Sequence, residues 1–340
     1  MTASLRVGLI GCGAIGRVRV GALGDDVLVA ATDIDPAAAQ SLIADHGAGV
    51  AVPDAQAVLA TQPDVVVVAT IHSALADLAC QALEAGAHVL VEKPAGISVA
   101  EIDKIAVTAA RTGRLVKVGF NHRFHPGTAH AIDLARSGRF GDLMFVRGRY
   151  GHGARPGYER EWRMDKSLSG GGELVDQGMH LVDLCHAIFG DLPLHSALLR
   201  TQFWDSEVED NAALLLGDPA DRSGPWAQLH VTWTEWKNLF SLEITCRTGK
   251  ITVDGLARSY GPQVVHVYAM KPEMGPPDVE RIEYDAVDVS WQREWEHFRD
   301  AIAKGAPDTA LNGDLISARY AWTQVERAYA LQAASTTDLS

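Results

Sequence analysis

Asp176 and His180 stand four residues apart in the stretch SGGGELVDQGMHLVDLCHAIFG, Ser169–Gly190. On a helix that spacing stacks carboxylate and imidazole, so that the acid orients the ring and raises its basicity. Such a pair can take up a proton and return it. At about 100° per residue Asp183 falls within about 60° of the other two, and Leu174, Val175, Met179, Leu181, Val182 and Leu184 occupy the rest of the arc. The stripe reads in two ways, as a catalytic face or a solvent-facing one. Neighbouring Glu173 and Gln177 favour solvent, and the lack of Lys or Arg on the arc opposes it. The set is not read as a metal site, because His186 lies on another face and no second histidine has ligand spacing.

A lysine with a reason to be reactive sits in VEKPAG, where Glu92, Lys93 and Pro94 follow the apolar run HVLV. That is the carboxyl edge of a strand, where parallel α/β sheets bind ligands, which gives an ammonium there a reason. The plainer reading is a solvated lysine at a loop start.

Upstream, VGLIGCGAIG spaces Gly11, Gly13 and Gly16 as GxGxxG around Ala14 and Ile15, after a strand and before a helix. These glycines permit a tight turn and close approach of backbone to a pyrophosphate at the helix N-terminus. VLVAATDID then places Asp33, followed by Ile34, at the end of the second strand, 22 residues after Gly11. A carboxylate there accepts bonds from ribose hydroxyls and repels a 2′-phosphate, which argues for NAD over NADP. Asp35, before Pro36, reads as a helix N-cap. With a cofactor and a cation supplied, Asp176 and His180 read as the proton-handling pair, the glycines before them as room for a substrate, and Asp183 as a structural hydrogen-bonding residue.

RGRYGHGARPGYEREWRMDK, from Arg147 to Lys166, mixes arginines and aromatics with three acids. It reads either as a substrate loop, with aromatic faces for sugars and arginines for phosphate or carboxylate, or as a surface loop with internal ion pairs. Trp204, Trp233 and Trp236 offer stacking surfaces or core.

The elements that must position these groups are legible as alternating patterns. RVGLI, VLVAAT, DVVVVAT, HVLVE and LVKVGF alternate with alanine-rich helical segments, a parallel, doubly wound α/β layout with strands covered on both faces. After Asn121 the texture changes, and ALLRTQFW, NAALLLG, WAQLHVTWT, LFSLEITC and KITVDG follow with few helical breaks, which predicts a mostly antiparallel sheet. The helix over Gly172–Phe189 is expected to pack on it, and two helices close the chain near Trp291–Lys304 and Gly313–Ala334. The predicted division is residues 1–122 and 123–340.

The 340 residues carry 47% hydrophobic and 21% charged side chains, a folding composition, and 30 Lys plus Arg against 43 Asp plus Glu give a net charge of −13. That charge disfavours nucleic acid and anionic membranes as partners. Cys12, Cys80, Cys185 and Cys246 are scattered without CxxC spacing and read as buried thiols. MTASLRVGLIGCG has no signal-peptide pattern and VVVVATI is far too short for a membrane span, so a cytoplasmic location is expected.

Taken in order, VGLIGCGAIG, VLVAATDIDP, DVVVVATIHSALADLACQALEAGAHVLVEKP, VGFNHRFHP and SGGGELVDQGMHLVDL resemble the Gfo/Idh/MocA oxidoreductase family over nearly the whole chain. The resemblance implies an N-terminal Rossmann domain, a C-terminal α+β domain whose large open, mostly antiparallel sheet forms homodimer or homotetramer contacts, and hydride transfer between a nicotinamide and a sugar or polyol carbon. It implies that Lys93 bonds the reacting oxygen, that His180 is the acid/base and that Asp176 orients substrate and imidazole. Gly11, Gly13, Gly16 and Asp33 match cofactor positions, and Thr70 and Glu92 match the nicotinamide side. Asn121 and Arg123 match the domain junction and are expected at the substrate, as are Trp162 and Arg163, which match a substrate-loop position. The loop before the fourth helix departs from the family's T-P-x-x-x-H: Ile71 and Leu75 replace proline and histidine, and His72 either contacts the cofactor in compensation or is incidental. The reading is a metal-independent, NAD-dependent dehydrogenase of a secondary hydroxyl in a sugar, sugar derivative or cyclitol. Its rivals are a redox-assisted glycosidase and a non-enzymatic NAD and sugar sensor.

Overall fold

A computed structural model describes residues 4–273, 275–306 and 314–337; Gly313, the expected start of the last helix, lies outside them. The chain divides into two compact units, Met1–Asn121 with Trp291–Arg319, and His122–Ser290 with Tyr320–Ser340.

In the first unit the strands are β1 (Arg6–Ile10), β2 (Val27–Thr32), β3 (Val50–Ala51), β4 (Val65–Val68), β5 (His88–Val91) and β6 (Val116–Val118). Between them run α1 (Ala14–Gly21), α2 (Pro36–His46), α3 (Ala55–Ala60), α4 (His72–Glu84) and α5 (Val99–Thr112). The sheet order is β3-β2-β1-β4-β5-β6 with every pair parallel. All four valines of β4 are buried, as a strand covered on both faces requires. Asp35 caps α2 through a 3.0 Å bond from Ala37 N, Pro36 occupies the first turn, and Gly47 ends the helix at φ 78°. Strand order reverses between β1 and β4, the point at which such sheets open for a ligand.

The C-terminal boundary differs from the expected one. Trp291–Arg319 belongs to the first unit, although its sequence lies far beyond residue 122. The reason is apolar burial: in the helix Ser290–Lys304, Trp295 and Phe298 join the core of Leu9, Leu28 and Val67, and Trp295 Nε1 donates to Asp26 Oδ2 at 2.8 Å.

The second unit opens with α6 (Pro126–Arg136), β7 (Leu143–Gly151), α7 (Lys166–Ser169) and α8 (Met179–Phe189). Then come β8 (Leu194–Arg200), β9 (Asn211–Leu216), β10 (Trp226–Thr232), β11 (Leu239–Cys246), β12 (Gly249–Asp254), β13 (Val264–Ala269) and β14 (Asp278–Glu283). Their order is β14-β13-β12-β11-β7-β10-β9-β8, antiparallel throughout except for the parallel pair β7 and β10. Helices α6 and α8 pack on one face of this sheet. β7 begins before the arginine-rich stretch and runs into it, so Arg147 and Arg149 are exposed strand residues and not part of a loop. Among the described residues no helix is long and apolar enough to cross a membrane, and all four cysteines are buried thiols.

Candidate active site

In the first unit, β1 delivers its backbone into the glycine turn. Gly11 has φ +99°, and a Cβ there would lie 2.4 Å from the Ala69 carbonyl oxygen, at the end of β4. A Cβ on Gly16 would lie 2.0 Å from the Gly11 carbonyl oxygen. Around Gly13, by contrast, a Cβ would meet nothing within 4 Å. Two glycines therefore hold the turn against the neighbouring strand, and the third leaves its backbone approachable. Gly13 precedes Ala14 and Ile15 at the N-terminus of α1, whose first amides have no partner within the helix and whose dipole favours an anion.

Asp33 ties this turn to the end of β2: its Oδ2 accepts from Cys12 N at 2.6 Å and its Oδ1 from Asp35 N at 2.9 Å. A carboxylate has about four acceptor positions, so capacity remains for ribose hydroxyls. These residues fit a dinucleotide: an open glycine at a helix N-terminus for the pyrophosphate and a partly exposed carboxylate for the ribose. Ile34 beside it is fully exposed.

Thr70 is half-buried and its hydroxyl donates to the Ile71 carbonyl at 3.2 Å. His72 is the first residue of α4 and is buried, as is Leu75, which packs the imidazole position into the domain without leaving it open to a ligand. Glu92, expected along the nicotinamide side, is held by Arg19. Arg19 Nε donates to Glu92 Oε1 at 2.6 Å and its Nη1 to Glu294 Oε2 at 2.6 Å, and all three side chains are buried. The guanidinium also lies 4.5 Å from the Trp291 ring. Lys93 follows, half-buried, ahead of a cis bond to Pro94. The buried ion pairs at Glu92 give the lysine a fixed anchor one residue upstream. Asn121 is buried at the end of this unit.

In the second unit the glycine run serves packing. A Cβ on Gly171 would fall 1.9 Å from the Tyr329 hydroxyl, and one on Gly172 2.0 Å from the Glu209 carbonyl oxygen. The expected room for a substrate is thus taken by the protein's own backbone and Tyr329. Glu209, which the sequence did not single out, fixes the start of the next helical segment: its Oε1 accepts from Gly172 N at 3.2 Å, Leu174 N at 3.0 Å and the Tyr329 hydroxyl at 3.0 Å.

From there Leu174–Gly178 forms a π-helical turn before α8 begins at Met179. Such turns widen a helix locally and are common at functional sites. The stripe is not wet. Glu173, Gln177, His180 and Asp183 are all buried. Asp176 keeps 13% side-chain exposure and faces Arg163, Nε to Oδ2 3.5 Å, while the Arg163 guanidinium lies 4.6 Å from the Trp162 ring. Arg123, expected at the substrate, is committed to Asp183 through bonds of 2.7 and 2.6 Å. The expected structural role of Asp183 thus has its partner.

The His180 ring stacks on His122, whose other neighbours include Tyr150 and His125. Tyr150 hydrogen-bonds Tyr260, which also accepts from Gln177 Nε2 at 3.1 Å. Burial pushes the Tyr260 phenol up to about 12 and Tyr150 well above its ordinary value, so both stay protonated. Neither His122 nor Tyr260 is singled out by the sequence, where the doubled imidazole of NHRFHP is the available signal, and Tyr150 figures there only as one aromatic of the arginine-rich stretch. Of the tryptophans, Trp233 is core against Tyr158, and Trp236 is exposed beside Phe203. Among the described residues no group of three His, Cys, Asp or Glu side chains is arranged to hold a metal ion.

Comparison with known proteins bears on the whole chain. Residues 5–120 match the family model described as an oxidoreductase family with an NAD-binding Rossmann fold, and residues 128–252 match the GFO/IDH/MocA C-terminal domain. Levoglucosan dehydrogenase of Pseudarthrobacter phenanthrenivorans is 32% identical over 48% of this chain and 43% of its own length. D-glucoside 3-dehydrogenase of Escherichia coli is 32% identical over 56% of each. The chain thus spans about half the length of these curated relatives. A solved levoglucosan dehydrogenase, in complex with NADH and levoglucosan, superposes with a TM-score of 0.87 at 20% identity over 97% of this chain and 98% of that one. The chain belongs to the GFO/IDH/MocA oxidoreductase family and carries its NAD-binding Rossmann fold in the first unit.

Proposed function

We propose that this chain is an NAD-dependent dehydrogenase that oxidises a secondary hydroxyl of a sugar, sugar derivative or cyclitol, and reduces the ketone in reverse. The observation that carries the reading is His180, buried at the junction of a π-turn and α8 four residues after Asp176, in a chain whose first unit holds an open glycine turn and Asp33. The names of the relatives, a levoglucosan and a D-glucoside dehydrogenase, support the sugar class.

Bound NAD supplies the hydride acceptor. His180 takes the hydroxyl proton through a ring nitrogen as the carbon–hydrogen bond breaks, and gives it back in ketone reduction. Asp176, held by Arg163, orients substrate and imidazole. The Lys93 ammonium stabilises the oxygen as it becomes an alkoxide. Half-buried Trp162, stacked with Arg163, offers an aromatic face to a sugar ring. We assign the proton and oxygen chemistry to these side chains, without a metal.

A second copy of the chain is the partner proposed for the sheet face away from α8. There strand pairing puts Leu198, Leu215, Trp226 and Phe145 on one face; the first three are exposed, and Phe145 pairs with Trp226 and stacks on it with ring centroids 5.0 Å apart.

The test is NADH absorbance against free, phosphorylated and glycosidic sugars and cyclitols, followed by His180→Ala. Turnover should fall about 10²–10⁴-fold while NAD affinity persists; unchanged turnover would remove the assignment. Glycoside cleavage without net NADH would favour the redox-assisted glycosidase.

A further inference from the structure

His122 has no part in the reaction as assigned, yet its ring lies face to face with that of His180, centroids 3.7 Å apart and planes 21° from parallel. It comes from the 3-10 turn Asn121–Phe124, and each ring is only 5% exposed. Tyr150, His125 and Phe240 close the other sides of His122 at 5.1, 5.5 and 6.0 Å between centroids.

Several titratable groups of the described residues surround the stack. From β7 comes Tyr150, with Tyr260 behind it. Beyond the 3-10 turn stands His125, with Asp288 3.8 Å from its Nδ1 and Arg258 3.6 Å from Asp288. From the helix itself come Asp176, facing Arg163, and Asp183, paired with Arg123. Glu173 on the same segment is buried. Burial keeps the Tyr150 phenol protonated and His125 neutral, so neither brings charge to the stack.

Two imidazolium rings at this separation repel strongly in a poorly screened interior, whereas one imidazolium on a neutral aromatic face is attracted to it. We propose that His122 and His180 form a one-proton pair, in which His122 positions the His180 ring by its face and, by staying neutral, lets His180 accept the substrate's hydroxyl proton. The inference rests on His180 being the acid/base group. In the oxidative step the O–H bond breaks toward a ring nitrogen of His180 and the C–H electron pair leaves with its hydrogen for the nicotinamide; no further reactant is needed. At acid pH a proton on either ring stops the reaction, because a second imidazolium on the stack is repelled, so the pair offers two blocking sites where a lone histidine on a phenyl face offers one.

His122→Phe keeps the aromatic face and removes the second base. With methyl β-D-glucoside or myo-inositol, whichever the NADH screen finds oxidised, the acid limb of kcat/KM should move down by about 0.3 pH unit, the factor of two lost with the second protonation site, with NAD affinity unchanged. A limb that stays in place, whatever happens to kcat, overturns the pairing, because a packing role lowers activity without moving the limb. Histidine ¹⁵N NMR of the unaltered chain tests the same point without a variant. The two rings should share one proton over a broad common pH range, and two independent full titrations overturn it. Turnover that survives His180→Ala sinks the functional reading itself; turnover that needs His180, with an unmoved limb, sinks only the pairing.

Discussion

Arg123 grips Asp183 with two nitrogens, Nε to Oδ2 at 2.7 Å and Nη2 to Oδ1 at 2.6 Å, and the two side chains are 5% and 0% exposed. The pair joins the 3-10 turn that carries His122 to the helix that carries His180. Arg123→Met strands a fully buried carboxylate without its cation, so unfolding in urea should show a loss of about 3–5 kcal/mol. The double variant Arg123→Met with Asp183→Leu should recover most of it, since burying apolar groups avoids the desolvation cost. A double variant as unstable as the single would mean that the two residues do not act as a pair.

How much of the fold and site is legible in the sequence depends on whether the determinant is local. GxGxxG after an apolar run, Asp35 before Pro36, and the uninterrupted valines of β4 each fix their own element, and these elements stand where the patterns put them. Partners distant in sequence leave no such mark. Glu92 bonds Arg19 across 73 residues and Arg19 bonds Glu294 across 275, so no local pattern announces that Glu92 holds a buried arginine. The glycines before Asp176 illustrate the same limit from the other side. Glycine reports that something comes close, and only the fold says that it is Tyr329 and the Glu209 backbone and not a substrate. Periodicity at 100° per residue also misses the π-turn at Leu174–Gly178, because that turn depends on Glu209 catching the amides of Gly172 and Leu174.

His125 gives a pH prediction with a worked sign. Gln263 Oε1 accepts from Gly127 N at 2.6 Å, which turns its Nε2 toward His125 Nδ1 at 2.7 Å. Nδ1 must then offer a lone pair, so the ring is neutral, and burial pushes it down to about 4 despite Asp288 pulling the other way. In the unfolded chain the ring titrates at its ordinary ~6.5. Between these values the unfolded chain binds more protons, so stability falls as pH drops from about 6.5 toward 4, by about 3 kcal/mol in all. His125→Asn should flatten this slope, read as Tm between pH 7 and 4.5. An equal slope in the variant would place the acid sensitivity elsewhere.

Gly13 and Gly16 should part company when substituted. Gly16→Ala drives a Cβ to 2.0 Å from a backbone oxygen that cannot retreat, so the first unit should lose at least about 1–3 kcal/mol. Gly13 has φ −68° and ψ −166°, a conformation open to any residue, with empty space around the position of a Cβ. Gly13→Val should therefore leave thermal stability within about 0.5 kcal/mol of the parent. Its isopropyl group would stand where a pyrophosphate must meet the backbone at the start of α1, and NAD affinity by calorimetric titration should fall at least about tenfold, or ~1.4 kcal/mol. Loss of stability in Gly13→Val would mean that the space is used by the fold. Unaltered NAD binding in a stable Gly13→Val would mean that the pyrophosphate lies somewhere other than this turn.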